Sequence, residues 1–392
     1  MDIKNTLIGI WGFGRVGQAA ARFFTAHNIS FLVWDDALTI PHSAKSLDEL
    51  LNTCDAILPS PGIDINPYLD QATWLNELDI FGHYFHKKII AITGTVGKTT
   101  ITTMITESLK NAGWRAIAAG NIGVPCFDII EKQNELDVVV LEVSSFQLEH
   151  CKTFTPDLAI WTNFFPNHID RHKTIDNYFN AKLNLLVRQT KNQHAILPVD
   201  LKDKIPALEP HVYYVTELGL DQNKVITQKA LEIVTKKIHP VIYTPLEHRC
   251  EKIAIIKNAT FINDSKSTTP QSTLAAIEQY KDKKIILFLG GLSKGIDRTD
   301  LIAQLKKYTI HVLCFGKEAE QLKKICDQFM ISAASFATLD QAFKECTQII
   351  DIYDCILFSP AGSSFDLFKN YEDRGLFFKN LVITYQRSIH SA

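Results

Sequence analysis

Apolar, β-branched runs of strand length recur along the chain, and most flow straight into glycine- or serine-rich turns. Leu7–Trp11 ends in Gly12-x-Gly14-x-x-Gly17, a helical pattern follows over VGQAAARFFTAHN, and SFLVWDD reads as the next strand, ending at Asp35 and Asp36. Asp55–Leu58 is a further strand with Ser60-Pro61-Gly62 at its carboxyl end. Lys88–Ile92 leads into Gly94-Thr-Val-Gly97-Lys98-Thr99-Thr100 and then the helical stretch ITTMITESLKNAG. DVVVLEVSSFQLEH delivers Glu142, Ser144 and Ser145 at the end of a buried strand, and LAIWTNFFPNHIDRH ends in a polar cluster. HAILPVD and HVYYV read as strands, residues 219–237 as a helix, and Pro240 and Pro245 as a linker. The segments 248–270 and 284–300 repeat the theme of strand and polar turn. Helices over EAEQLKKICDQF and LDQAFKECTQII, a strand at 331–336 and CILFSPAGSSFDLF complete the series. The tail is expected to loosen after about residue 386.

Three apolar strands thus run into glycine loops, near residues 7, 88 and 284. The pattern predicts an α/β protein of three domains in a row. The first is a Rossmann-like domain over 1–87, with a hinge near His86-Lys87; the second is a central P-loop domain over 88–246; the third is a Rossmann-like domain over 247–392. The hinge into the last domain is expected around 240–247.

Bulk properties narrow the chemistry. At 392 residues the chain exceeds one ordinary core. A net charge of -2 gives no basic field to draw nucleic acid or anionic lipid. No apolar run approaches the roughly 20 residues a membrane helix needs. The N-terminus reads as a first strand without a leader, so the expectation is a cytoplasmic protein. The eight cysteines show no paired metal spacing and read as buried thiols in a reducing compartment.

The sharpest chemical signal is residues 88–100. Strand, glycine loop with Lys-Thr, and helix form a cradle for nucleoside triphosphate. Backbone N–H groups and the helix N-terminus face the phosphates, Lys98 adds a charge, and the Thr99 hydroxyl suits Mg²⁺. The spacing GTxGKTT is shorter than the common loop, and the bland alternative is a plain helix start. Glu142 lies on the next buried strand, a usual place for a magnesium ligand, against a surface Glu beside an N-cap serine pair. Asn163, Asn167, His168, Asp170, Arg171 and His172 crowd behind a strand of the same sheet. Tyr178 and Lys182 share a helix face, where a lysine is normally solvated. Gly12-x-Gly14-x-x-Gly17 with Asp35 leaves three readings open: NAD, another nucleotide, or tight packing alone.

Taken together, SPGI (60–63), GTVGKTT (94–100), GNIG (120–123), LEVSSFQLE (141–149), NxxxNHIDRH (163–172), YxxAK (178–182), HR (248–249), NDSKST (263–268), GGLSKGID (290–297) and SPAGSSFDLFKNYEDRG (359–375) resemble the ADP-forming Mur ligases of peptidoglycan synthesis, in order and over nearly the whole chain. SSFQLE and the last motif are similar to the D-glutamate-adding branch. The resemblance implies an ATP-dependent amide ligase. Its substrates would be UDP-N-acetylmuramoyl-L-alanine and D-glutamate, its reactive species an acyl phosphate, and its state a monomer.

Position by position, the resemblance implies ATP contacts at Gly94, Thr95, Gly97, Lys98, Thr99, Thr100, Arg249, Asp264 and Lys266. It implies Mg²⁺ at Thr99, Glu142 and His168, and a carbamate on Lys182 that supports the metal. Lys98, Glu142, His168 and Lys182 form the implied catalytic set. Gly14, Asp35, Asp36, Ser60, Gly62, Asn121 and Ser144 match the UDP-substrate site, and Thr268, Lys294, Ser364 and Tyr371 the D-glutamate site. Val96 stands where the family usually has Asn, so a contact that steadies the loop is expected to be missing. Asn167 stands where Asp is usual, leaving the metal shell less acidic. The Asn-rich helix start that contacts adenine has no clear counterpart in 219–231. Three rival functions remain: another Mur-type amino-acid ligase, a non-catalytic UDP-sugar binder and an NAD(P) oxidoreductase.

Overall fold

The computed structural model describes residues 3–38, 40, 43–216, 219–242, 246–293 and 295–390. Its chain contacts divide it into two compact units, Met1–Phe164 with Arg171–Thr244, and Phe165–Asp170 with Pro245–Ala392. The expected hinge at His86-Lys87 therefore lies inside the first unit.

The first unit carries two sheets. One is three-stranded and parallel, built from β1 (Ile8–Trp11), β2 (Phe31–Trp34) and β3 (Ala56–Pro59) in the order β2-β1-β3. The other uses β4 (Lys88–Thr93), β5 (Ala116–Gly120), β6 (Val138–Glu142), β7 (Leu158–Trp161), β8 (His194–Pro198) and β9 (His211–Val215). These pair in parallel in the order β5-β6-β4-β7-β8-β9. The inner strands are buried along almost their whole length, which is why KIIAIT and VVVLE read as unbroken apolar runs. Alternation still sorts their faces. Ile90, Ile92, Val138 and Val140 pack with Ile101, Ile105 and Leu109 of the helix Lys98–Asn111. Ile89, Ala91, Val139 and Leu141 face the other way and share one core with Ile8 and Ile10 of the first sheet and with Phe23 and Phe24 of the helix Arg15–Ala26.

The second unit holds β10 (Glu251–Ile256), β11 (Ala259–Asn263), β12 (Ile285–Gly290), β13 (Ile310–Phe315), β14 (Ala333–Phe336) and β15 (Cys355–Phe358). The order is β10-β11-β15-β12-β13-β14, parallel except for the β10–β11 hairpin. The C-terminal helix Tyr371–His390 corrects the expectation of a loose tail. Val382, Tyr385 and Ile389 pack on the core beneath it, so the last turns are held by burial.

Candidate functional site

The parallel order puts four strand ends side by side. At the carboxyl edge of β5-β6-β4-β7 stand Asn121, Glu142, the glycine loop, and Thr162-Asn163. Ligands of open α/β sheets bind along this edge.

Strand, glycine turn and helix follow one another here as expected. Gly94 (φ +144°) and Gly97 (φ +85°) take backbone conformations that side chains resist. A Cβ on Gly94 would lie 2.0 Å from Thr162 Oγ1. Gly97 begins the helix Lys98–Asn111 without a side-chain cap. The leading N–H groups of that helix, with Thr99 and Thr100 half-buried among them, are donors of the kind that suit an anion.

Two lysines converge on the loop. Lys98 Nζ donates to Gly94 O at 2.8 Å and Thr95 O at 3.0 Å. Lys182 Nζ donates to the same Gly94 carbonyl at 2.9 Å and lies 4.5 Å from the centre of the Tyr178 ring. Lys182 is buried to 1% exposure, against the usual solvated helical lysine. Burial, reinforced by the neighbouring Lys98 charge and opposed by Glu142, holds its ammonium well below the ordinary lysine range.

Glu142 is also buried, which removes the surface alternative. Its Oε1 accepts from Asn121 Nδ2 at 2.9 Å, while the buried Oε2 has no hydrogen-bond partner among the described residues. A buried carboxylate oxygen left open in this way suits a hard cation, as does the Thr99 hydroxyl. Ser144 caps the helix Ser145–Glu149 and closes a capping box with Gln147. His168 has φ +55°, and its N–H donates to Asn167 Oδ1 at 3.0 Å. It belongs to the second compact unit, whereas Glu142 and Lys182 belong to the first.

The first glycine turn separates its three glycines by role. Gly12 has φ +92°, a Cβ on Gly17 would meet Gly12 O at 2.1 Å, and a Cβ on Gly14 would meet nothing within 4 Å. Gly14 thus leaves room for a ligand to approach the backbone. Asp35 accepts from Phe13 N at 2.6 Å and from Ala37 and Leu38 N. The Phe13 bond leads in holding its carboxyl below the usual range. Asp36 accepts from the Trp11 and Trp34 indoles, and Ser60 Oγ donates to Gly12 O at 3.0 Å. These side chains shape the turn, with Gly62 exposed beside it.

In the second unit, Lys266 Nζ sits 3.6 Å from the centre of the Tyr371 ring, and Lys266 N donates to His248 O beside Arg249. Asp264 is buried, with Ser267 and Ser359 hydroxyls and Cys250 N on its carboxylate. Burial outweighs these bonds and raises its pKa. Thr268 is half-buried and Ser364 buried; Lys294 lies outside the described residues.

With this geometry in view, the matches to known proteins decide the family. The Mur ligase middle domain matches residues 92–264, and the Mur ligase glutamate ligase domain matches residues 248–362. A UDP-N-acetylmuramoylalanine–D-glutamate ligase of Lawsonia intracellularis is 33% identical, covering 96% of this chain and 93% of its own. The chain belongs to the Mur ligase family. A Mur ligase of known structure, MurF from Thermotoga maritima in complex with ADP, shares the fold. The TM-score is 0.61 at 14% identity, over 87% of this chain and 92% of that one. A bifunctional folylpolyglutamate synthase/dihydrofolate synthase from Yersinia pestis, complexed with AMPPNP and a Mn ion, aligns at TM-score 0.54 and 15% identity, over 78% and 92%.

Three groups in this Mur ligase escaped the reading of the sequence. Asn223, near the start of the helix Gly219–Thr235, places its Oδ1 3.2 Å from where a Cβ on Gly97 would stand. Its neighbour Gln222 donates to Thr162 O at 3.1 Å. Arg374 is fully buried and clamps Ser265 Oγ, Ser265 O and Gly362 O at 3.1, 2.7 and 2.9 Å. Burial brings its pKa down to about 10. Its place in the last motif was the available signal; only the fold shows which turns it joins.

Proposed function

We propose that the protein joins D-glutamate to UDP-N-acetylmuramoyl-L-alanine at the expense of ATP, as a cytoplasmic monomer in peptidoglycan precursor synthesis. The observation that carries this reading is the meeting of Lys98, Lys182 and the buried Glu142 at an uncapped glycine loop. Family membership supplies the reaction class. The three sheets divide the work as the expected domains do: 1–87 for UDP, 88–246 for ATP, and 247–392 for the amino acid.

A carboxylate is a poor acyl donor, and phosphoryl transfer from ATP gives its oxygen a leaving group. The amine of D-glutamate then attacks the acyl carbon, phosphate departs, and an amide forms. The helix N-terminus and Lys98 hold the transferred phosphoryl charge. Thr99, Glu142 and His168 are the residues that would hold Mg²⁺, which when bound neutralises phosphate charge. Burial and the neighbouring Lys98 charge lower the Lys182 pKa, which favours the amine that would add CO₂ to give a carbamate and release a proton. The anion so formed would face Lys98 instead of repelling it. Asn121 orients Glu142, and Gly14, Asp35, Asp36, Ser60, Gly62 and Ser144 shape the UDP-substrate pocket. Arg249, Asp264 and Lys266 serve the nucleotide, and Thr268, Lys294, Ser364 and Tyr371 the D-glutamate carboxylates.

Phosphate release measured with each substrate omitted in turn tests this. Release is expected only with ATP, UDP-N-acetylmuramoyl-L-alanine and D-glutamate together, and not with L-glutamate or L-lysine. Equal release without the muramoyl substrate would sink the reading.

A further inference from the structure

Val96 has no side-chain amide to steady the glycine loop, yet both of its backbone groups are hydrogen-bonded. Asn163, just past β7, accepts from Val96 N at 2.9 Å and Thr95 N at 3.2 Å through Oδ1. Through Nδ2 it donates to Val96 O at 3.0 Å. Thr162 Oγ1 donates to the same carbonyl at 2.7 Å. The Asn163 carbonyl accepts from Thr95 N at 3.1 Å and from the Trp161 indole at 3.0 Å. One side chain therefore brackets residue 96 on both its N–H and its C=O.

We infer that Asn163 is a positioning residue for ATP: by fixing the Val96 carbonyl toward β7, it turns the Gly97 N–H into the phosphate cradle. The peptide unit is planar and trans, so its C=O and N–H point in opposite directions. Two donors on Val96 O set the plane of the 96–97 peptide. The following N–H must then face away from β7, on the open side of the loop. Gly97 is free to follow, since its φ of +85° suits a glycine. Without Asn163 the peptide can turn over and present a carbonyl to the phosphates, a reversal of sign where the site needs a donor. The amide that steadies the loop comes from the neighbouring strand, 67 residues on.

This inference rests on reading residues 94–100 as the ATP site, and the experiment separates the two. Titration of Mg·AMPPNP and steady-state KM values for each substrate are compared in the wild type, Lys98→Ala, Asn163→Ala and Asn163→Asp. Asn163→Ala is expected to weaken nucleotide binding by about 10- to 100-fold, with the KM for the UDP substrate within about twofold. Asn163→Asp keeps the shape and the acceptor but sets an oxygen against Val96 O; it is expected to lose at least as much. It carries the test if the alanine variant does not fold. Nucleotide binding unchanged in a folded Asn163 variant, with Lys98→Ala defective, overturns the role of Asn163 alone. A parallel rise in the UDP-substrate KM also overturns it, in favour of a general structural role. Wild-type binding that Lys98→Ala leaves intact overturns the ATP site itself.

Discussion

Asn121 and Glu142 are joined twice across neighbouring strand ends: Asn121 N–H donates to the Glu142 carbonyl at 2.9 Å, and its Nδ2 to Glu142 Oε1, also at 2.9 Å. The second bond fixes which carboxylate oxygen stays open. Asn121→Leu should raise the Mg²⁺ concentration for half-maximal turnover by about 10- to 100-fold, because groups that orient a metal ligand carry that much affinity. A Mg²⁺ titration of activity checks it; an unchanged midpoint would remove Glu142 from the cation set or Asn121 from its support.

Glu149 makes a pH prediction. Its carboxylate bonds Arg171 at 2.9 Å and lies 3.6 Å from His172 Nδ1, while Arg171 also reaches Asp64 and Ile63 O. Burial alone would raise the Glu149 pKa, but the neighbouring His172 imidazole and the Arg171 charge outweigh it and bring it down to about 2. The unfolded chain protonates this group near 4.5, so the stabilisation is complete above that value and fades as pH falls from 4.5 toward about 2. Urea midpoints across this range should fall in the wild type and change less in Glu149→Gln. Equal slopes would mean other carboxylates govern acid unfolding.

Gly14 and Gly17 should fail in opposite ways. Alanine at 17 drives its Cβ into Gly12 O and should cost about 1–3 kcal/mol or more of stability, read by denaturant unfolding. Alanine at 14 meets no protein atom, so the fold should hold while the KM for the UDP substrate rises. If Gly14→Ala binds the UDP substrate normally, the ligand does not cross that turn.

Val96→Asn tests whether the loop lacks anything. With both backbone groups of residue 96 already bonded, the added amide has no vacancy to fill. The KM for ATP should change by no more than about twofold, the range of a neutral substitution. A large gain in affinity would show that the amide was missed after all.

Strand and loop chemistry was legible where it is local. Lys98, Gly94 and Gly97 announced a phosphate loop because an apolar strand ran straight into glycines and Lys-Thr, and the structure gives those glycines the strained φ values the reading needs. Glu142 was legible for the same reason, at the end of an unbroken buried run. Lys182 was not legible from its residues, since its burial depends on meeting Gly94 O, 88 residues away. Asn223 lacked a motif to mark it, and Arg374 joins turns whose proximity only the β11-β15-β12 order creates. The C-terminal helix outran expectation because Ile389 finds core contacts that no local pattern reveals.

The rings of Phe23 and Phe24 both pack on Phe127, and Arg22 grips Asp128 with both carboxylate oxygens within 3.0 Å. Those contacts merge the first sheet and the central sheet into one cooperative block. In amide exchange, β1 should open with β4 and β6 in a single unfolding event, rather than ahead of them. A truncation after residue 87 would strip the ring of Phe127 of its cover and leave both fragments sticky. The first sheet is therefore expected to move with the central sheet as one body, not to swing against it.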